Sequence, residues 1–204
     1  MSVDTASLFF ALLALACLTA VLAVLGGFAV WLIGGRPAAL ASLRVDLGRV
    51  AIPLAWIVAT VATLGSLYFS EIADFVPCTL CWYQRICMYP LVIVLGVAAL
   101  RRDRDVRFYA GPLAAVGALV ATYHSWIQAY PPDGGTSFCT LDAPCTERYV
   151  WEFGFVSLPL MALSGFLFVI TMMVLARPAH LRRTIEIESE REPFIERELV
   201  EEKA

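Results

Sequence analysis

Five long apolar segments constrain this chain more than any other feature of its sequence. A transmembrane helix needs about 20 predominantly apolar residues, because each residue advances about 1.5 Å and the hydrocarbon core is about 30 Å thick. Hydrophobic residues make up 60% of the 204 residues and charged residues only 16%. The chain is therefore expected to be a polytopic membrane protein, with spans at residues 8–33, 50–69, 78–100, 108–130 and 151–176.

The third span reaches the required length only if it includes a pair of cysteines. Its purely apolar part, residues 86–100, would rise about 22 Å as a helix, so the span must also take in residues 78–85. Pro77 suits the first helical position, where its missing N–H costs nothing. Cys78 and Cys81 are then expected in the first turn, where the helix dipole lowers a thiol pKa and favours the thiolate.

The distribution of arginine predicts the orientation of the chain. Segments 35–49, 101–107 and 177–183 are basic, and with five spans all three fall on one side of the membrane. The positive-inside rule assigns that side to the cytoplasm. The N-terminus, segment 70–78 and loop 131–150 are then extracytoplasmic. The net charge of −3 is spread over separate segments and does not indicate a nucleic-acid partner.

The segments define four parts of the chain. Residues 1–34 hold an apolar stretch that we interpret as a transmembrane helix, because it lacks a basic leader and is too long for a signal peptide. Residues 35–49 form a cytoplasmic connector, and residues 50–176 hold the other four spans. Residues 177–204 form a glutamate-rich cytoplasmic tail, interpreted as a solvated segment with a partner-binding helix as the alternative.

The cysteines fall into two close pairs and two isolated residues. The sequence has six of them: Cys17, Cys78, Cys81, Cys87, Cys139 and Cys145. Both pairs face the extracytoplasmic side in the predicted topology, where an oxidising environment favours disulfides. The ring closed by Cys139 and Cys145 is small and contains a proline, which favours a labile disulfide. We interpret Cys17 and Cys87, which lie in apolar runs, as packing residues.

Two alternatives to redox chemistry remain for the cysteines: a zinc site and a pair of inert structural disulfides. A zinc site would use all four paired cysteines, but the second pair is not a C-x-x-C and faces an oxidising space, so no metal is expected. Two inert structural disulfides are the stronger alternative. Against them, a structural disulfide rarely uses a C-x-x-C in the first turn of a helix.

Two polar residues within the spans are further site candidates. Arg85 is one turn beyond Cys81 and shares its helix face. His124 lies six residues before the outer end of the fourth span, so both side chains are expected roughly 9–12 Å below their helix ends. We therefore expect them to line one pocket near the interface, although a histidine hydrogen-bonded in the core is the usual alternative. A charged residue inside a span is a functional candidate by default.

At these residues the chain resembles a known family, the disulfide bond formation protein B family (DsbB, or BdbC in Gram-positive bacteria). Cys78-x-x-Cys81-Trp82-Tyr83-Gln84-Arg85 is similar to its quinone-reactive motif. The segment from His124 to Pro131 is similar to the one that leads into the second cysteine pair. Cys139-x5-Cys145 followed by residues 151–155 is closest to the BdbC branch. The resemblance covers residues 50–176.

The resemblance implies a fold and a function. The fold would be an all-α, four-helix transmembrane bundle with one extra N-terminal transmembrane helix. The function would be a quinone-dependent oxidoreductase that reoxidises a DsbA-type, thioredoxin-fold partner and passes the electrons to ubiquinone or menaquinone in a bacterial inner membrane. The catalytic residues would be Cys78, Cys81, Cys139 and Cys145, with Arg85 and His124 binding the quinone.

The resemblance also implies an order of events. The partner would attack Cys139, Cys145 would exchange with Cys78, and Cys81 would become the thiolate that reduces the quinone. The extra helix and the close spacing of the loop pair depart from the family pattern. A vitamin K epoxide reductase-like quinone reductase is a further alternative, but those relatives carry the loop pair before the C-x-x-C. A protein that carries reducing equivalents from the cytosol outward is another alternative. Such carriers usually place cysteines deep in paired helices, whereas here only Cys17 and Cys87 lie within apolar runs.

Overall fold

The computed structural model describes residues 2–33, 38–132, 139 and 143–176. These residues form five helices: α1 (Val3–Ile33), α2 (Ala38–Glu71), α3 (Thr79–Arg101), α4 (Arg107–Ala129) and α5 (Leu158–Leu175). The predicted acidic tail at 177–204 and much of loop 131–150 lie outside the described residues. The prediction of an all-helical membrane bundle is confirmed.

Four of these helices, α1, α2, α3 and α5, are long and apolar enough to cross a membrane. The fourth predicted span, α4, is not among them, because polar residues in its second half lower its hydropathy. Its position nevertheless requires it to cross. Both α3 and α4 have 23 residues, and His124 near the end of α4 approaches Cys78 at the start of α3 within 3.7 Å. Antiparallel α4 therefore returns across the thickness that α3 crosses.

The last four helices form a closed bundle in which each packs against its neighbours in the order α2, α3, α4, α5, while α1 lies outside against α5. Small residues let the backbones approach closely, as is usual in membrane bundles. On α2 the fully buried alanines recur every four residues, and on α4 they are four and seven residues apart: Ala51, Ala55, Ala59, Ala110, Ala114 and Ala121. Small residues thus permit close helix contact, and large side chains such as Phe166, Leu91 and Leu95 fill the rest of the core.

The closest approach between α4 and α5 occurs at Gly117. A Cβ atom at this position would lie 2.3 Å from Cε1 of Phe166, whose side chain is fully buried. No real carbon contact is that short, so glycine at this position allows the Phe166 ring to approach the backbone of α4. This contact fixes the spacing of the two helices that flank the second cysteine loop.

Several helix boundaries differ from the sequence prediction, and α1 begins at Val3 rather than at residue 8. The connector predicted at 35–49 is helical from Ala38, so α2 begins earlier than residue 50. Helix α3 begins at Thr79, because Cys78 is its N-cap and Pro77 precedes the cap. Helix α5 begins at Leu158 rather than 151. The chain before it turns sharply through Phe153 and Gly154, with φ of 54° and 76°, and such positive φ values are incompatible with a helix.

We predict that loop 131–150 faces the extracytoplasmic side. In a background lacking the other four cysteines, an impermeant thiol reagent should label half-buried Cys139 on intact cells after mild reduction. The matched control removes Cys139 and Cys145 and carries Asp105→Cys in the exposed connection between α3 and α4, which should be labelled only after lysis. Labelling in the reverse pattern would contradict the topology.

Candidate redox site

The C-x-x-C motif is held by the first turn of α3. Cys78 adopts the extended conformation of an N-cap, and its sulfur accepts a hydrogen bond from the backbone N–H of Cys81 at 3.3 Å. The two sulfurs are 2.9 Å apart and unbonded. Cys78 is buried, while Cys81 is half-buried. The motif is thus in its dithiol form, with both sulfurs held at a distance suited to disulfide formation.

His124 of α4 connects the dithiol to the second cysteine loop. Its Nε2 lies 3.0 Å from the carbonyl oxygen of Cys145 and 3.7 Å from Sγ of Cys78. The amide nitrogen of Gln84 donates to Nδ1 at 3.0 Å, so in the neutral ring Nε2 carries the proton and donates to the carbonyl. The imidazole is 2% exposed. Every polar atom of this buried ring therefore has a partner.

The surroundings of Cys78 favour its thiolate. This residue precedes the third span, at the membrane interface. The thiol of Cys81 donates to the Cys78 sulfur, and together with the hydrogen bond from His124 this lowers the pKa of Cys78 to about 4, against the opposing effect of burial. Its position at the N-terminus of α3 acts in the same direction. The thiolate expected at Cys81 during quinone reduction belongs to a state with bound quinone and stays a prediction.

The second pair is oxidised and packs against the first. Cys139 and Cys145 form a disulfide. Cys78, Leu80, Ile127, Ala143 and Cys145 form one buried cluster, against which Cys81 and Cys139 also pack. The structure therefore brings all four predicted catalytic cysteines together.

Two polar contacts fix the end of this loop to α4. The side-chain amide of Gln128 donates to the carbonyl of Glu147 at 2.7 Å, and the guanidinium of Arg148 donates to the carbonyl of Gln128. Arg148 also lies over the ring of Trp151. These contacts hold the segment that follows Cys145 beside the end of α4, where His124 is.

Arg85 points away from His124, toward α2. Its Nε donates to Oγ of Ser66 at 3.0 Å and its Nη2 to the Ser66 carbonyl at 3.1 Å. The hydroxyl of Tyr89 lies 3.3 Å from the same Oγ, and the guanidinium lies 5.2 Å from the ring centroid of Trp82. Arg85 is thus fixed by neutral oxygens of a neighbouring helix.

A cavity of about 270 Å³ lies beside Arg85, between α1, α2, α3 and α5. Its polar lining is concentrated at one end, formed by Ser66, Ser70, Cys81, Gln84, Arg85 and Tyr89. The remaining walls are apolar apart from Ser164 and Tyr149. Such a cavity, apolar with a few convergent polar groups, is typical of a small-molecule site.

The structure separates Arg85 from His124, which the sequence analysis expected in one pocket. Cys78 and His124 line a narrow cleft of about 20 Å³ beneath the second loop, and neither lines the larger cavity. Cys81 lines both spaces. The expectation of a shared pocket is therefore wrong in this state, because the His124 ring turns toward the loop and Arg85 turns toward α2. A direct contact between His124 and a quinone stays a prediction.

The dithiol and His124 also place three possible metal ligands within 4.8 Å of one another. Tetrahedral zinc with bonds of about 2.3 Å would hold two thiolate sulfurs about 3.8 Å apart. The observed separation of 2.9 Å is much shorter. The arrangement therefore suits thiol–disulfide chemistry better than metal binding.

Sequence reasoning missed Ser66, Gln84 and Gln128. Gln84 and Gln128 are polar residues within predicted spans, which is the same sequence signal that identified Arg85 and His124. The structure buries both glutamines. Ser66 had a weaker signal, as one of several hydroxyl residues in α2. Its role depends on the approach of α3, which the sequence of α2 does not reveal.

The chain is similar to known disulfide-forming proteins. Residues 48–176 match the model of the family described as disulfide bond formation protein DsbB. Disulfide bond formation protein C of Bacillus subtilis is 46% identical over 122 residues, which cover 60% of this chain and 88% of that protein. Probable disulfide formation protein C 2 of Bacillus anthracis is 44% identical over 122 residues, covering 60% and 86%. No solved structure gave a significant match.

We predict that Cys78 is a thiolate at neutral pH. A thiol whose pKa is lowered from 9.0 to about 4 keeps its negative charge above that pH and loses it only on acidification through about 4. The ultraviolet absorbance of the thiolate, measured against Cys78→Ala, should follow this transition. His124→Gln should move the transition to higher pH, and Cys81→Ala should move it further, because Cys81 makes the larger contribution.

The matched control for this titration is Ser125→Ala. The Ser125 hydroxyl bonds to a carbonyl of its own helix and should leave the transition unchanged. A wild-type transition near 9, or one insensitive to both substitutions, would contradict the assignment.

Proposed function

Because this chain belongs to the disulfide bond formation protein DsbB family, we propose that it oxidises an extracytoplasmic thioredoxin-fold partner of the DsbA type and passes the electrons to a membrane quinone. The chain is a multi-pass membrane protein, and its family forms disulfide bonds. One observation carries the finer proposal. The four cysteines pack around one buried cluster, and Cys81 lines an apolar cavity that also contains Arg85.

Electrons first reach the loop disulfide. A thiolate of the reduced partner attacks Sγ of Cys139, which breaks the Cys139–Cys145 bond, joins the partner to Cys139 and releases Cys145 as a thiolate. The second partner thiol then displaces Cys139, so the partner leaves with a disulfide and the loop keeps two electrons. The difference in exposure supports Cys139 as the attacked atom, since Cys139 is half-buried while Cys145 is only 2% exposed.

The loop then passes its electrons to the C-x-x-C motif. Cys145 attacks Sγ of Cys78 in the oxidised motif, and Cys81 leaves. Attack of Cys139 on Cys145 restores the loop disulfide and leaves Cys78 and Cys81 reduced. This end state, with an oxidised loop and a reduced motif, is the state of the present structure. His124 supports the transfer because it contacts both the Cys145 carbonyl and the Cys78 sulfur.

The cavity beside Arg85 suits a quinone. A quinone accepts two electrons and two protons, so a dithiol can become a disulfide without any other oxidant. Arg85, Ser66 and Tyr89 would hold its polar ring, and the apolar walls would exclude water. Cys81 would deliver the electrons while the Cys78 thiolate closes the disulfide. Gln84, which lines the cavity and bonds to His124, links the ring site to the exchange site.

The proposal places the protein in a bacterial inner membrane with both pairs extracytoplasmic. The arginine asymmetry supports this side. The proposed acceptor is ubiquinone or menaquinone. Two inert disulfides would not leave Cys78 and Cys81 as free thiols beside a histidine.

We predict that Arg85→Met slows quinone reduction about 10- to 150-fold, the effect of losing a charge-assisted hydrogen bond of about 1.5–3 kcal/mol. Oxidation of the partner by the loop disulfide should be unchanged in a single turnover without quinone, because that step occurs at Cys139. Ser66→Ala, which removes one of the two oxygens that hold Arg85, should have a smaller effect in the same direction.

The matched control is Arg101→Met, an exposed arginine at the other end of α3. It should reduce quinone at the wild-type rate. Quinol formation is followed by absorbance, and partner oxidation by thiol alkylation, on the same purified proteins. Wild-type quinone kinetics in Arg85→Met would exclude Arg85 from the site, and quinone-independent redox states in the wild type would favour two inert disulfides.

A further inference from the structure

Helix α1 forms part of the cavity although it lies outside the segment that matches the family, residues 48–176. Four of its residues line the space: Phe10, Leu13, Ala14 and Cys17. They recur at intervals of three or four along one face of the helix. Opposite them are residues of α2 and α5, and the polar end with Cys81 and Arg85 is part of the same space. The extra helix is therefore a wall of the space beside the redox dithiol.

The outer end of α1 is attached at two points. The hydroxyl of Ser7 donates to Oε1 of Glu152 at 2.6 Å, which ties α1 to the turn before α5. The ring of Phe10 packs on Phe69 of α2, with centroids 5.6 Å apart. It also lies against Gly65, where a Cβ atom would be 2.7 Å from the Phe10 ring. These contacts place Phe10 across the outer part of the space between α2 and α5.

The rest of α1 is largely exposed to lipid. In its most apolar window 17% of the residues are buried, compared with 50% in α5. Its contacts with α2 are confined to few residues, and most of its packing is against α5. Val21 of α1 belongs to the buried core, with Cys17, Ala20 and Val24 packed against it. The most specific contribution of α1 is the strip of residues that faces the cavity.

We propose that α1 is the binding wall for the isoprenoid chain of the quinone, with Phe10, Leu13, Ala14 and Cys17 contacting the chain whose ring lies beside Cys81 and Arg85. This inference rests on the proposed function. The isoprenoid chain is the expected occupant because the cavity is continuous. Its polar end includes Cys81 of the dithiol, and its remaining walls are mostly apolar side chains. From Phe10 to Cys17 the helix rises about 10 Å, which matches an extended chain running along the helix rather than a compact ring.

The test compares two quinones that share one ring, a tail-less form and a long-chain isoprenoid form, with protein in lipid nanodiscs. Phe10→Ala combined with Leu13→Ala should raise the KM for the long-chain quinone about tenfold, because apolar contact with the chain is lost. The kcat and KM for the tail-less quinone should not change. The matched control is Phe9→Ala with Leu12→Ala, which removes the same side chains from the lipid-facing side, where both are about half exposed, and should leave both quinones unaffected.

A second variant, which fills the cavity instead of removing side chains, separates loss of chain binding from a folding defect. Ala14→Phe puts bulk into the cavity and should also weaken long-chain binding, whereas Ala16→Phe on the exposed side should not. Single-turnover oxidation of the partner by the loop disulfide reports the folded fraction in every variant, and all quinone kinetics are expressed per folded molecule. An unchanged long-chain KM in both cavity variants overturns the proposal and indicates that a phospholipid acyl chain or nothing occupies the space. Equal losses with both quinones also overturn it, and a wild type that reduces neither quinone overturns the proposed function itself.

Discussion

The site depends on the buried imidazole of His124. It joins three segments that are far apart in the sequence: the end of α4, the first turns of α3 and the second cysteine loop. A buried imidazole with unpaired nitrogens would be costly, so the partners of His124 are constrained as strongly as the histidine itself. The side-chain amide of Gln84 donates to Nδ1 of His124, and Nε2 donates to the carbonyl of Cys145. The loop disulfide is therefore held beside the dithiol by hydrogen bonds that the interior requires.

The dithiol separates two environments. On one side are His124, the second loop and a narrow cleft, which suit exchange between sulfurs. On the other side are Arg85 and a mostly apolar cavity, which suit a lipid-soluble acceptor. Cys81 contacts both spaces, while Cys78 contacts only the cleft. In the proposed function, electrons enter the dithiol from the cleft and leave it toward the cavity, so the acceptor is kept apart from the loop disulfide.

Much of this could be predicted from the sequence, and the failures have physical causes. Apolar length identified α3 and α4 almost to their ends, and the spacing of cysteines identified both pairs. The predicted start of α5 was wrong because residues 151–156 contain enough apolar side chains to continue a helix. The chain turns there instead, at Phe153 and Gly154, which have positive φ values. The partners of Arg85 and His124 were missed because Ser66 and the Cys145 carbonyl reach them only through tertiary packing.

The partners of Arg85 explain why this charge can act on the site. An arginine within a span is usually paired, and a carboxylate partner would cancel its field. Among the described residues the ion pair is Arg49–Asp46, whose side chains are well exposed, and Arg85 bonds instead to two neutral oxygens of Ser66. Neutral acceptors satisfy its donors without removing its positive charge. Arg85 lines the cavity beside Cys81, where the proposed reduction of a quinone would develop negative charge on oxygen, and low polarity would strengthen the attraction.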